Sequence, residues 1–416
     1  MSRLDPLRGG LFDIAILGGG LTGAAALRDA SLRGFRTVLI ETADYGMDHW
    51  PRRVGAAAAI AEGRGVMEIR AAARECETLQ WMAPHLLRTV ELIVPFYDLT
   101  LFREWRAAAL SRRFAPDQRR PFAPADLLRE VPALRPEALQ GGLILSDTLL
   151  ESPSRLALEN VCDAQRRGGA ALNYVEAVAT EGADATSLRI RDRTVADEAE
   201  LRARVVIGSA ADPRPIARCA LAPFTSRSIC LLTRNGDVLF QADPLPEISA
   251  YSGPATLELD ALLAPLAQYT ACQAEVLWTA PAPAAFPSQP ARITFAAGDP
   301  VLHRLRAERA INQAAKLLGS NARSVEAPFP TPGPEDAVRR AAVNEQCCYL
   351  EDFMRRRSTL SLNADQGLSH APAIASQLAG HLGWSKGRTE AELIHYHQWA
   401  LATRDAMRRR ARLNRG

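Results

Sequence analysis

Lysine is almost absent from this chain: of its 50 lysines and arginines, only Lys316 and Lys386 are lysine. We read that bias as genome composition, and arginine carries nearly all the positive charge. A strong charge excess is lacking too. A formal net charge of +3 over 416 residues gives no reason to expect a nucleic-acid partner, and none is expected. Cysteine pairs with metal-ligand spacing are missing. The seven cysteines are scattered, none forms a CxxC pair, and the adjacent Cys347-Cys348 matches no metal motif, so reduced thiols and no metal are expected. No apolar run reaches the length of a membrane span, and the opening MSRLDPLRGG lacks the apolar core of a signal peptide. The expectation is a cytoplasmic protein, with peripheral contact at the inner face of the membrane left open. There is no internal repeat.

A hydrophobic content of 47% with 23% charged residues describes an ordinary globular protein. Its length exceeds what one simple core fills, so two or three domains are expected. The most informative stretch is Phe12 to Glu41, FDIAILGGGLTGAAALRDASLRGFRTVLIE. The apolar run Ile14 to Leu17 leads into Gly18-Gly19-Gly20-Leu21-Thr22-Gly23, an alanine-rich helix pattern follows, and a second apolar strand, Thr37 to Ile40, ends on Glu41. That is the order a dinucleotide-binding βαβ unit requires. Gly18 permits the tight turn, Gly20 lets the backbone approach a pyrophosphate, and Gly23 lets the helix pack on the sheet. The helix start offers unpaired N–H groups and a positive dipole end to phosphates. Glu41 is placed to accept hydrogen bonds from ribose hydroxyls. Gly18, Gly19, Gly20, Thr22, Gly23 and Glu41 are the candidate cofactor-binding residues.

Further along, Val54 to Ile60 is suited to starting a helix, and Glu68 to Met82 predicts an amphipathic helix with Ile69, Ala72, Cys76, Leu79 and Met82 on one face. Phe114 to Pro136 reads as a surface excursion with a short helix at Ala125 to Glu130. Ser152-Pro153 signals a helix start, with serine as cap and proline in the first turn. Ala170 to Val175, Ser187 to Arg191 and Arg204 to Ile207 read as strands, the last running into Gly208-Ser209-Ala210-Ala211. Cys230 to Thr233 and Val238 to Gln241 form a hairpin pattern around Asn235-Gly236. Arg292 to Phe295 reads as a strand feeding a helix from Val301 to Leu318. Glu326 to Glu335 is a proline-rich linker, and Asp336 to Arg410 predicts helices broken near Asn363-Ala364-Asp365 and Gly383.

With these pieces in order, the chain resembles the FAD-dependent, quinone-linked glycerol-3-phosphate dehydrogenases. The resemblance is carried by GGGLTGAAALRDASLRGFRTVLIE through Asp44-Tyr45, by RAAARECETLQWMAPHL, GGAALNYVEAV and LRARVVIGSAA, and late in the chain by YLEDFMRRRSTL and HLGWS. It implies an α/β fold with a Rossmann-like FAD-binding domain, a smaller β-rich substrate domain and a C-terminal α-helical domain. The expected division is residues 1–225 for the FAD domain, with an excursion at about 90–140, and 226–290 for the β-rich domain. Residues 291–325 return to the FAD domain, 326–340 link, and 341–416 form the helical domain. The cofactor implied is FAD, with a backbone contact near the adenine around Ala177. The reaction implied is hydride transfer from a secondary alcohol, such as a polyol phosphate, to flavin.

The chain also departs from that pattern. Where relatives carry Lys-Leu-Ile-His-Gly-Gly-Leu-Arg-Tyr along the flavin and substrate, it has MDHWPRRVGAAAAIAEG, in which only Arg52 or Arg53 supplies a matching cation. The family's Ile-Gly-Thr-Thr-Asp is replaced by AYSGPATLE, and its Phe-Gly-Gly-Lys-Leu-Thr-Thr-Tyr-Arg by FAAGDPVLH, Phe295 to His303. No catalytic residue is singled out. His303 reads as a solvent-facing residue at a helix start, and His49 as a loop residue near the substrate side. His395 and His397 diverge on one helix, which disfavours a metal site. Arg52-Arg53 and Arg355-Arg356-Arg357 are candidates for phosphate or acidic-partner contacts, with a solvated face as the default. Three functions stay open: an active flavin oxidoreductase acting on a small molecule, an inactive FAD- or nucleotide-binding homologue serving as scaffold or subunit beside a protein partner, or an apo structural pseudoenzyme. The oligomeric state is left open.

Overall fold

The structure is a computed structural model. It describes all residues except 1, 47–52, 62, 98–100, 115–118, 181–184, 211–215, 222–227, 232–237, 242–248, 255–258, 272–275, 281–292, 297–299, 331–335 and 414–416. In chain order the strands begin with β1 Leu11–Leu17, β2 Thr37–Ile40, β3 Leu87–Tyr97, β4 Arg119–Phe122, β5 Leu139–Leu150, β6 Ala170–Leu172, β7 Val175–Thr180 and β8 Thr186–Asp192. They continue with β9 Glu198–Ala210, β10 Ile216–Leu221, β11 Ser228–Leu231, β12 Val238–Gln241, β13 Ser249–Pro254, β14 Val276–Ala280 and β15 Ile293–Ala296. The helices are α1 Leu21–Leu32, α2 Ala56–Ala61, α3 Val66–Met82, α4 Leu101–Phe114, α5 Pro124–Glu130, α6 Pro153–Arg166, α7 Leu259–Tyr269 and α8 His303–Leu317. The last part of the chain adds α9 Ala337–Asn344, α10 Leu350–Asp352, α11 Ala371–Leu382 and α12 Lys386–Leu413.

The first sheet runs β6-β2-β1-β9, with β15 beside the second half of β9, and all of these pairings are parallel. The first half of β9 instead pairs antiparallel with β8, and β8 with β7. The alternation along β1 explains how both faces are covered. Ile14 and Ile16 pack with α1, α6 and α8 through Ala24, Leu27, Leu156, Ala310 and Ile311. Ala15 and Leu17 face the other way, onto Val175, Leu188, Ile190 and Leu201 of the β7–β9 meander. The many alanines of α1 leave its backbone close to the sheet. A charged strut crosses this layer: Arg28 of α1 donates to Asp163 of α6 at 2.7 Å and to the carbonyl oxygen of Ala327 at 2.7 Å, and stacks on Phe329.

The second sheet has the order β14-β10-β13-β12-β11-β3-β5-β4. Two stretches of chain therefore build it. Residues 90–140, an excursion from the cofactor domain in the sequence reading, lie within or between its strands β3, β4 and β5. The β3–β5 pair continues the ladder from Leu87 opposite Leu150 to Tyr97 opposite Leu139. The hairpin pattern at 230–241 corresponds to β11 and β12, which pair antiparallel, while its Asn235-Gly236 turn lies outside the described residues. Helix α2 is wedged between this sheet and α3. Ala57 packs on Leu92, Val94 and Leu143, and Ala56 and Ala59 on Ile69 and Ala72.

One local expectation changes. Ala170 to Val175 is not one strand, because Tyr174 has φ +56 and breaks it into β6 and β7. The Ser152 signal holds as read: its hydroxyl accepts from the Arg155 amide at 3.1 Å, with Pro153 in the first turn of α6. Gly383 ends α11 with φ +67, a left-handed cap that glycine adopts without strain. Among the described residues no helix is long and apolar enough to cross a membrane.

Candidate functional site: the glycine turn between β1 and α1

The turn forms where β1 and β2 end side by side. Gly18 has φ +113, a backbone region that side-chain-bearing residues rarely adopt, and its amide donates to the Ile40 carbonyl at 2.9 Å. Gly23 sits so close behind it that a Cβ there would lie 1.9 Å from the Gly18 carbonyl oxygen. A Cβ at Gly19 would meet Tyr45 Cδ1 at 2.8 Å and Glu41 Cβ at 2.9 Å. Gly20 differs: a Cβ there meets nothing within 4 Å. Three glycines are thus required by the protein's own packing or backbone, and the fourth borders open space.

That open space lies at the N-terminus of α1. Gly20 is its N-cap, no side chain caps it, and no acidic residue stands in its first turn. The Thr22 hydroxyl is buried there without a hydrogen-bond partner among the described residues. A buried polar atom left unsatisfied costs about 1–3 kcal/mol. An anion at the helix start would relieve that cost and take up the free amides.

Glu41 closes the other side. Its carboxylate accepts from the Gly19 amide, from the Ala43 amide at 2.8 Å and from the Thr42 hydroxyl at 3.2 Å. Burial pushes this carboxyl above the usual carboxylate range, and those bonds pull it partly back. Ala177 lies in β7 opposite Ile190 of β8, two residues beyond Val175, whose amide donates to the Glu41 carbonyl at 2.8 Å. The structure therefore brings Gly18, Gly19, Gly20, Thr22, Gly23 and Glu41 into one turn, with Ala177 on the strand beginning next to it.

The remaining candidates fall elsewhere. His303 is buried, not solvent-facing, and its Nδ1 lies 2.8 Å from the Pro300 carbonyl oxygen. Arg53 is likewise buried, beside Asp147 at 3.4 Å. The Arg355-Arg356-Arg357 run is not a solvated face. Arg355 pairs with Glu351, Arg356 lies 3.6 Å from Asp44, and Arg357 is buried against Asp44. The acidic partner of this run is therefore in the same chain. His395 is exposed on α12, 3.4 Å from Glu351. His49, Trp50, Arg52, Ala297 and Gly298 lie outside the described residues.

Sequence reasoning missed how the residues behind the turn come together. Asp44, Tyr45, Asn173, Gln346 and Arg357 form one buried polar junction, although 313 positions separate Asp44 from Arg357. Asp44-Tyr45 and YLEDFMRRRSTL had each stood out, but nothing in either segment says that they meet.

A family profile described as FAD dependent oxidoreductase matches residues 13–254, more than half the chain and the whole glycine turn. The chain belongs to this family. Among curated relatives, the glycerol-3-phosphate dehydrogenase of Synechocystis sp. is 31% identical over 190 residues, covering 42% of this chain and 34% of that one. The matched stretch thus spans about a third of that relative's length. In fold, the chain is similar to the FAD complex of glycerol-3-phosphate dehydrogenase from Bacillus halodurans, with a TM-score of 0.71 and 15% identity over 95% of this chain and 96% of that one. It is also similar to the FAD-bound L-alpha-glycerophosphate oxidase of Mycoplasma pneumoniae, with a TM-score of 0.54 and 12% identity over 78% and 99%. The α/β class with a Rossmann-like cofactor domain and a C-terminal helical region is that of these FAD-dependent oxidoreductases. Its turn fits the cofactor: the open helix start and the unsatisfied Thr22 hydroxyl suit a pyrophosphate, and buried Glu41 suits a ribose.

Proposed function

We propose that this family member binds FAD at the glycine turn and oxidises a small secondary alcohol of the polyol-phosphate class by hydride transfer. The observation that carries the reading is the uncapped start of α1, where Gly20 faces open space and the Thr22 hydroxyl lacks a partner. FAD, when bound, supplies the two-electron acceptor. The chain's own residues then have distinct tasks. The first amides of α1 and the Thr22 hydroxyl donate to phosphate oxygens, where the helix dipole favours negative charge. Glu41 accepts from ribose hydroxyls while keeping the Gly19 amide oriented. The backbone near Ala177 borders the adenine.

In the same reading, the sheet containing β1 and β9 forms the cofactor domain, and the eight-stranded sheet forms the substrate domain. The helices from α9 onward cap them. The substrate class follows from the named relatives, glycerol-3-phosphate dehydrogenases and a glycerophosphate oxidase. The test is an anaerobic titration of the FAD-loaded protein with glycerol 3-phosphate. Bleaching of the flavin bands supports the reading. Bands that persist with this and related secondary alcohols overturn the oxidoreductase part and leave a cofactor-binding homologue.

A further inference from the structure

The loop that closes over the glycine turn is gripped from behind by the C-terminal helical region. Arg357 Nη2 donates to Asp44 Oδ1 at 2.9 Å, and Nη1 donates to Asp44 Oδ2. The same guanidinium donates to the carbonyl oxygens of Glu345 at 2.7 Å and Asp352 at 3.3 Å, which fixes it within its own domain. Asn173 Nδ2 bridges the two sides, donating to Asp44 Oδ1 at 2.8 Å and to the Gln346 carbonyl at 3.0 Å. Tyr45 spans the remaining gap. Its ring packs against Gly19, and its hydroxyl donates to Gln346 Oε1 at 3.2 Å. Gly46 then donates to the Gly19 carbonyl at 3.0 Å.

This is an expensive way merely to join two domains. A buried ion pair is often no more stabilising than apolar side chains of the same volume, because both charges lose their water. What the two-pronged Arg–carboxylate fork adds is direction. The backbone is also strained here: Tyr174 and Gln346 hold φ values of +56 and +50. Strain of this kind persists only where the surroundings over-determine it.

We propose that Arg357 and Tyr45 are positioning residues for the cofactor. Through them the C-terminal helical region holds loop 41–46 so that Glu41 and the glycine turn are set to receive the adenosine end of FAD. Cofactor binding and the docking of residues 345–357 are therefore coupled, and the coupling works in both directions. The proposal rests on FAD binding at the glycine turn.

The experiment is an FAD titration combined with hydrogen exchange on the full chain, for wild type, Arg357→Lys and Tyr45→Phe. Tyr45→Phe keeps the ring on Gly19 and removes only the bond to Gln346, so it remains informative where Arg357→Lys folds poorly. In the wild type, FAD is expected to slow exchange at 18–23 and at 345–357 alike. In Arg357→Lys, affinity is expected to fall about tenfold, within the usual range of coupling between sites. At saturating FAD that variant is expected to keep protection at 18–23 and lose the gain at 345–357. Tyr45→Phe is expected to bind FAD several-fold more weakly. Wild-type protection confined to the N-terminal residues, or wild-type affinity in both variants, would overturn the coupling while leaving FAD binding intact. A wild type that binds no FAD overturns both this proposal and the reading beneath it.

Discussion

Replacing Gly20 with alanine changes almost nothing inside the protein and is expected to block the cofactor. At φ −66 the backbone of residue 20 suits alanine, and the added Cβ has no neighbour within 4 Å. Two small terms act on the cofactor-free protein. Alanine is a poorer N-cap than glycine, costing up to about 1 kcal/mol. The loss of unfolded-chain freedom returns about 0.4–1 kcal/mol. Stability without FAD is therefore expected to stay near wild type. The methyl group, however, enters the space a pyrophosphate needs at the helix start. A steric penalty of about 3 kcal/mol there weakens FAD binding by about a hundredfold. Gly23→Ala is the contrasting control. Its Cβ would sit 1.9 Å from the Gly18 carbonyl oxygen, where real contacts do not fall below 3.0 Å, so the turn itself must move. Overpacking of this kind costs about 1–3 kcal/mol, and Gly23→Ala is expected to lower the Tm with or without FAD. Thermal unfolding without FAD and a fluorescence-quenching titration separate the two. A Gly20→Ala protein that binds FAD like wild type would refute the reasoning, as would one that unfolds several degrees earlier without it.

Three further outcomes can be checked. Glu41→Gln puts an amide group against one of the N–H donors of Gly19 or Ala43, so about 1–3 kcal/mol of stability is expected to be lost along with FAD affinity; unchanged chemical denaturation would contradict this. Arg28→Met breaks the buried pair with Asp163, a change that typically costs about 3–5 kcal/mol. The low end is expected because Arg167 still lies 3.2 Å from Asp163, and a urea midpoint equal to wild type would argue against it. Asp352 is pushed up to about 7 by burial and then by the charge of Asp44. A carboxyl raised in the folded state binds its proton more tightly folded than unfolded, so its contribution is favourable at low pH and is lost as pH rises from about 4 through 7. Asp352→Asn can still accept from the Cys348 and Tyr349 amides and donate to the Tyr174 hydroxyl. Its Tm is expected to fall less than the wild-type Tm between pH 5 and pH 8, as scanning calorimetry at both values would show. Equal falls would mean that Asp352 does not titrate in that interval.

The glycine turn is legible because its signals are local. The glycine spacing, the apolar strand before it and the acid after the next strand lie within about one βαβ unit, and each acts on neighbours a few residues away. The amphipathic stripe of α3 and the Ser152 cap are of the same kind. What stayed hidden depends on chain separation or on tertiary packing. Tyr174 holds a positive φ with its amide donating to the Ala43 carbonyl and its carbonyl accepting from the Arg193 amide, long-range contacts that no strand propensity records. The arginines at 355–357 look like a solvated run until Asp44 is brought beneath them. His303 starts a helix, as read, but it is buried, with Nδ1 against the Pro300 carbonyl oxygen. Strand β3 falls within the expected 90–140 excursion because its partner β11 lies far along the chain.

The glycine turn is proposed to hold FAD. The most direct measurement is a visible absorption spectrum of the protein purified without added cofactor, repeated after incubation with FAD and removal of the excess. Flavin bands are expected to remain with the protein and to disappear in Gly20→Ala. A wild-type protein colourless in both samples would contradict it.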